Sequence, residues 1–246
     1  MSTFIQFLQE SQTKPLIQAP MAGVQNSKLA IAVCQENAIG SLPCAMLSAD
    51  KIEQEIIKIQ QATNTPFNVN FYTLQKFYDE FNIDNQNIAL TGARQPFNRE
   101  NAELIADLKV PIVSFHFGLP DDDLLTMVKQ SGAKILATAT TVNEAKFLAN
   151  KGVDAIIAQG IEAGGHRGMF LDKDLTTQSG TFSLLPNIAK LLKNSDITLI
   201  GAGGISDNIT VKSAFGLGAD LVQIGTAFLL ADECDTKPTH KFLLQI

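Results

Sequence analysis

The chain has 246 residues, 45% of them hydrophobic and 18% charged, with a formal net charge of −6. This is an ordinary globular composition, long enough to bury a large core without disulfide or metal staples. The acidic balance, with no basic stripe or lysine-rich tail, argues against a nucleic-acid partner.

The apolar runs alternate with helical patterns along the whole chain. Pro15 to Met21 is a short apolar run that ends in Pro-Met-Ala-Gly. Helical spacing follows from Ser27 to Asn37, then a second strand-like run from Ala38 to Cys44. Ser48 to Thr63 reads as a helix with Ser48 placed to cap it and Ile52, Ile56 and Ile59 on one face. Pro66 to Tyr72 is the third strand, and residues 73–97 are polar and irregular. A helix from Asn98 to Leu108, a strand from Val110 to Phe117 and a helix started by Asp121-Asp122-Asp123 come next. Lys134 to Ala139, Val153 to Gln159, Ile197 to Ala202 and Asp220 to Phe228 complete eight strands. Helices at Val142–Lys151, Ser183–Asn194 and near Asn208–Leu217 separate them.

Strands rich in Val, Ile, Leu and Ala on both faces suit a parallel sheet covered by helices. Eight such units predict a closed (β/α)8 TIM barrel, formed by residues 1–246 as a single domain. In that fold the loops after the strands carry the function. Gln18, Met21, Asn68, Asn70, Gln159, His166, Gly203, Gln223 and Thr226 all fall at or just beyond strand ends.

The segment Gln159 to Gly168 is the richest of these loops. It holds four glycines in ten residues around His166 and Arg167. Glycines let a backbone approach a ligand closely, and an imidazole with an ordinary pKa near 6.5 exchanges protons at neutral pH. His166 is therefore the expected acid–base residue. Arg167 either steadies an anionic substrate or points outward, and Glu162 either orients the loop or partners His166. His116, between Phe115 and Phe117, reads as a hydrogen-bonded packing residue, and His240 as a solvated one.

Gly201-Ala202-Gly203-Gly204-Ile205-Ser206-Asp207 opens a helix whose free N–H groups would bind phosphate. Gln223-Ile224-Gly225-Thr226 ends the neighbouring strand, which gives the barrel phosphate site after strands seven and eight. A Rossmann site is the weaker reading. The sixth position of the glycine cluster is Ser206, and no acid ends the following strand. Asn68 and Asn70 share a strand face, and with Gln159 they offer the donors and acceptors that a flavin edge needs. Cys34, Cys44 and Cys234 have no zinc or redox spacing and read as buried thiols of a reducing compartment. No metal cluster or Gly-x-Ser-x-Gly elbow is visible. The first 25 residues lack a secretory pattern and no apolar run reaches about 18 residues, so a cytoplasmic, non-membrane protein is expected.

Together, Gln18-Ala19-Pro20-Met21-Ala22-Gly23, Phe67-Asn68-Val69-Asn70, Ala158 to Gly168, Gly201 to Ile205 and Gln223 to Phe228 closely resemble the nitronate monooxygenase (2-nitropropane dioxygenase) family. The likeness runs in order from Pro15 to Ala231. It implies a barrel that binds FMN non-covalently and oxidises alkyl nitronates, such as propionate 3-nitronate, or nitroalkanes with O2. It implies His166 as the catalytic residue. It also implies FMN contacts at Met21, Asn70, Gln159, Gly164, Gly165, Gly203, Gly204, Gln223, Gly225 and Thr226. The related enoyl-acyl-carrier reductases share the glycine–histidine loop, so an FMN- and NAD(P)H-dependent enoyl-thioester reductase is the alternative. Family members usually continue beyond the last strand, whereas this chain stops at Ile246. The last outer helix is therefore expected to be short, with strand eight partly uncovered or covered by a second subunit of a homo-oligomer. A flavin-binding barrel without turnover is the third reading.

Overall fold

A strand buried on both faces must fill both with apolar or small side chains, and eight runs of this chain do so. The computed structural model describes residues 2–73 and 96–244. Most of the irregular stretch expected at 73–97 lies outside the described residues. The elements are α1 (Thr3–Glu10), β1 (Leu16–Gln18), α2 (Ser27–Gln35), β2 (Ser41–Pro43), α3 (Ala49–Ala62), β3 (Asn68–Tyr72), α4 (Arg99–Asp107) and β4 (Ile112–His116). They continue with α5 (Asp122–Gln130), β5 (Lys134–Ala139), α6 (Val142–Asn150), β6 (Ala155–Gln159), α7 (Thr181–Leu192), β7 (Thr198–Ala202), α8 (Asn208–Gly216), β8 (Leu221–Ile224) and α9 (Pro238–Leu243).

The eight strands are all parallel, in the order β1-β8-β7-β6-β5-β4-β3-β2. Closure comes just ahead of β2, where Ile17 pairs with Ile39. Gln18 N–H donates to the Ile39 carbonyl at 2.9 Å, and Ile39 N–H to the Leu16 carbonyl at 2.9 Å. The chain thus forms the (β/α)8 barrel that its eight alternating units predict.

Side chains alternate across each strand, and the alternation sorts two cores. Val69, Val113, Ile135, Ile156, Leu199 and Val222 face the helices. Ile17, Ile39, Ile112, Leu136, Ala155, Ile200 and Leu221 fill the interior. Two residues further along several strands, the inward positions turn polar: Ser114 after Ile112, Thr138 after Leu136 and Gln223 after Leu221. The barrel is apolar below and polar at the strand C-terminal ends.

α1 does not stand out in the sequence pattern, yet it seals the apolar end. Ser2 caps it by accepting from Ile5 N–H at 3.1 Å. Phe4 and Leu8, one turn apart, are buried against the interior layer. The Ser2 hydroxyl meets that of Thr198, the first residue of β7, at 2.5 Å.

Three local expectations change. Ser48 sits at the start of α3 but makes no capping bond there, although Ile52, Ile56 and Ile59 form the buried face as predicted. The eighth strand ends at Ile224, and Thr226–Leu230 turns into a 3₁₀ helix. The outer face of β8 is not left open, because Val222 and Ile224 are both buried. α9 is short, at six residues.

Phe4→Ala would leave a large void beneath the interior layer. It is expected to cost about 3–5 kcal/mol, read as a lower urea midpoint with an unchanged m-value. A loss under about 1 kcal/mol would show that α1 does not act as a plug.

Candidate active site

The polar inward residues converge on one cavity of about 350 Å³ at the strand C-terminal ends. This falls in the size range of small-molecule sites. Every residue predicted from the family likeness lines it. Met21 lies after β1, Asn70 on β3 and Gln159 at the end of β6. Gly164, Gly165 and His166 come from the loop after β6, Gly203 and Gly204 from that after β7, and Gln223, Gly225 and Thr226 from β8 and its end. Asn68 lies deeper. Its Nδ2 donates to the Ser41 hydroxyl at 3.0 Å, and it is not among the lining residues.

The loop after β1 is held by two amides. Gln18 Oε1 accepts from Ser41 N–H at 3.0 Å, and Gln18 Nε2 donates to Gln25 Oε1 at 2.7 Å. Gln25 Oε1 also accepts Met21 N–H at 3.0 Å. Gln18 therefore fixes the segment that brings Met21 to the cavity.

The loop after β6 is anchored by residues that look mobile in sequence. Arg167 donates from Nε to Gln178 Oε1 at 3.1 Å, and its two terminal nitrogens bind the Gln159 and Gly160 carbonyls. Burial lowers its pKa, and the charges of Glu144 and Glu162 oppose that shift. Arg167 is a clamp on the end of β6, turned away from the role of a substrate anchor. Gln159 is likewise tied to its own loop. Its Nε2 donates to the His166 carbonyl at 2.9 Å, and its Oε1 accepts Gly168 N–H at 2.8 Å.

Glu162 orients the loop, one of the two roles expected of it. Its carboxylate accepts Thr181 N–H at 2.9 Å and the Thr181 hydroxyl at 2.9 Å. It thereby caps α7, whose own cap residue is Gly180. Space explains the glycines here: a Cβ on Gly180 would sit 2.7 Å from Glu162 Oε1, and one on Gly160 would collide with Thr181 Oγ1. Partial burial raises the Glu162 pKa, but the Thr181 bonds and nearby Arg167 outweigh this and leave it lowered.

Glu144 on α6 escapes notice in the sequence. It is wholly buried and accepts four hydrogen bonds. Oε2 takes Thr140 N–H at 2.7 Å and the Thr140 hydroxyl at 2.8 Å. Oε1 takes Phe170 N–H at 2.6 Å and Leu171 N–H at 3.1 Å. One carboxylate thus ties the end of β5 to the far end of the β6 loop.

Four aromatic rings gather beside that loop. The His166 ring meets Tyr72 at 6.0 Å and Phe117 at 6.3 Å, both edge-on. The His116 ring lies 4.5 Å from Phe117 and 5.7 Å from Tyr72. Phe117 has a φ of 70°, a left-handed conformation that is costly for an aromatic residue. The Thr73 hydroxyl holds it through the Phe117 carbonyl at 2.8 Å. His116 lines the cavity, beyond the packing role expected of it, and exposed His240 lines it from α9.

The phosphate-type cradle differs from the expected one. The start of α8 is occupied by its own cap: Asp207 Oδ1 accepts Ile209 N–H at 2.9 Å and Thr210 N–H at 2.8 Å. Thr210 Oγ1 accepts Ser206 and Asp207 N–H, each at 3.1 Å. The cap thus takes up the N–H groups of Ser206, Asp207, Ile209 and Thr210. Upstream, the N–H groups of Gly203 and Gly204 find no acceptor among the described residues. Their φ angles of 107° and 66° are ones that only glycine adopts freely. Close by, Gln223 Oε1 is buried without a hydrogen-bond partner among the described residues.

The fold and this cavity define a barrel enzyme with its site at the strand C-terminal ends. The nitronate monooxygenase family profile matches residues 6–245. The chain is 37% identical over 245 residues to a probable nitronate monooxygenase of Bacillus subtilis (strain 168), covering 94% of this chain and 70% of that one. It is 39% identical over 238 residues to a nitronate monooxygenase of Paraburkholderia phytofirmans, covering 89% and 64%. Among solved structures, the nitroalkane oxidase of Streptomyces ansochromogenes superposes with a TM-score of 0.80 at 35% identity, covering 93% of this chain and 69% of that one. FabK of Thermotoga maritima superposes with a TM-score of 0.75 at 27% identity, covering 98% and 67%. The chain belongs to the nitronate monooxygenase family, and it spans between 64% and 70% of the length of these four proteins.

Two outcomes follow from the anchoring. In Gly168→Ala the new Cβ would lie 2.7 Å from both His116 Cε1 and Thr138 Cγ2. The expected loss is about 1–3 kcal/mol of stability, seen in chemical denaturation, with disturbed His116 resonances. For Glu162 the folded pKa is lowered, so its contribution is present above the ordinary carboxylate range and lost as pH falls through the folded value. Glu162→Gln should therefore flatten the acid limb of stability against pH. An acid limb identical to the parent's would remove Glu162 from that role.

Proposed function

We propose that the chain binds FMN at this cavity and oxidises alkyl nitronates with O2. The observation that carries the reading is the joint lining of one cavity by the glycine cradle after β7 and β8 and by His166. Family membership supports it independently.

The residues present fit the cofactor. The N–H groups of Gly203 and Gly204 offer unpaired donors to a phosphate, with Gly225 and Thr226 alongside. The orphaned Gln223 Oε1 needs a donor, which a polyol chain supplies. Gly164 lies against Thr226, with the position a Cβ would take 3.4 Å from Thr226 Oγ1, an ordinary contact distance. Met21 and Asn70 complete the set that would hold the ring system. When bound, FMN supplies the electron-transfer and O2 chemistry that side chains do not carry.

The protein's own share is binding, orientation and proton handling. His166 takes the proton from the carbon next to the nitro group of a neutral nitroalkane, or hydrogen-bonds the anion when the substrate is already a nitronate. Tyr72 and Phe117 pack against its ring and restrict where it points.

Purified protein should be yellow, with a flavin spectrum released on denaturation, and should consume O2 with propionate 3-nitronate. His166→Ala should keep FMN and lose about 10²–10⁴-fold in turnover of the neutral nitroalkane. A colourless protein that cannot be loaded with FMN would refute the reading. So would NADPH oxidation driven by an enoyl thioester with nitronate inert.

A further inference from the structure

Of the three histidines that line the cavity, two are tied together, and their hydrogen bonds assign them different work. The His166 carbonyl accepts from two side chains, Gln159 Nε2 at 2.9 Å and His116 Nε2 at 3.1 Å. A carbonyl only accepts, so Nε2 of His116 carries the proton. Its Nδ1 then holds the lone pair and accepts from the Thr138 hydroxyl at 3.1 Å. Both nitrogens of His116 are engaged. The adjoining peptide is fixed from the other side, because Gly168 N–H donates to Gln159 Oε1 at 2.8 Å. Gly168 has no side chain to push the His116 ring away, and any Cβ there would be 2.7 Å from Cε1.

We infer that His116 is a positioning residue: the His166 carbonyl sets its tautomer, the Thr138 hydroxyl steadies the ring at Nδ1, and its Nε2–H grips the His166 carbonyl and so aims the His166 imidazole into the cavity. This rests on the proposed role of His166, but the grip itself is independent of the substrate. Burial among Tyr72, Phe117 and the loop pushes the His116 pKa down to about 4, with the nearby charges of His166 and Arg167 in the same direction and the His166 carbonyl opposing. The ring is therefore neutral, in one tautomer, throughout the neutral range. A histidine so engaged does not exchange protons with a substrate. It holds still the one that does.

Three variants separate positioning from catalysis. His116→Phe keeps a ring but loses the donor. His116→Gln keeps an N–H donor near the Nε2 position. Thr138→Val keeps the shape, including Cγ2, and removes the hydrogen bond to Nδ1. A misaimed catalytic group costs on the order of 10²-fold in rate. In the FMN-loaded protein with a neutral nitroalkane, kcat is expected to fall about 10–100-fold in His116→Phe. KM, FMN affinity and the pH profile of kcat should stay near parental values. His116→Gln should recover most of the loss, and Thr138→Val should fall between. Equal loss in the Phe and Gln variants, or a pH limb that vanishes with His116, overturns the inference.

Imidazole ¹⁵N NMR of the parent tests the same point without turnover. It should show His116 neutral and Nε2-protonated from pH 8 to about 5. An Nδ1-protonated form, or titration near 6.5, overturns the inference. If no nitronate is turned over, the proposed function fails while this spectrum still decides the positioning role. If His116→Phe does not fold, Thr138→Val and the parental spectrum decide it.

Discussion

Closure of the barrel is the constraint on which the rest depends. Once Ile17 pairs with Ile39, every inward side chain of eight strands is confined to one narrow interior. Period-two alternation then fixes each side chain's level. Isoleucine, leucine and alanine make a dry layer sealed by Phe4 and Leu8. Asn70, Ser114, Thr138 and Gln223 are forced to the other end because they occupy the next inward positions. A one-residue slip of β3 would send Asn70 outward into the helix layer and bring Phe71 into the cavity. The cavity's chemistry is therefore a consequence of register, and the loops only finish it.

The loops are finished by carboxylates used as mechanical anchors, one buried and one exposed. Burying a charge without partners costs several kcal/mol, and such groups usually neutralise instead. Glu144 meets the demand with four N–H and O–H donors. Glu162 stays exposed and binds the N-terminus of α7. Each acid binds main chain from a segment that would otherwise be orphaned. Arg167 then gives the same loop a cation bonded to carbonyls at the end of β6. The loop carrying His166 is rich in glycine, yet it is held at nearly every residue. Its glycines serve close approach more than mobility.

Much of this was legible in the sequence. The strand runs, the glycine clusters and His166 were visible because period-two patterning and glycine spacing are local signals. Other features were hidden for physical reasons. α1 is eight residues long, and only its docking on the barrel floor gives it weight. Glu144 looks like one more surface acid on an amphipathic helix, since its partners lie 4 and 26 residues away. The loop-tying bonds of Gln159 were hidden because a strand-end amide facing a cavity and one that also ties its own loop have the same sequence. The self-capped start of α8 did leave a signal: Asp207 and Thr210 stand three apart, which is capping-box spacing. That spacing outranks the glycine cluster as a guide to where free N–H groups lie.

The self-cap has an electrostatic consequence for the whole site. The chain is net acidic, and no lysine or arginine is among the described residues that line the cavity. Asp207 further sets a carboxylate at the helix start, where an anion would otherwise be attracted. An anion in this cavity would then be held by main-chain N–H groups, those of Gly203 and Gly204 among them. Main-chain donors carry no titrating proton, so their grip is set by backbone conformation, which the positive φ angles of the two glycines fix. A lysine or arginine there would add a positive field reaching past the bound anion over the rest of the cavity.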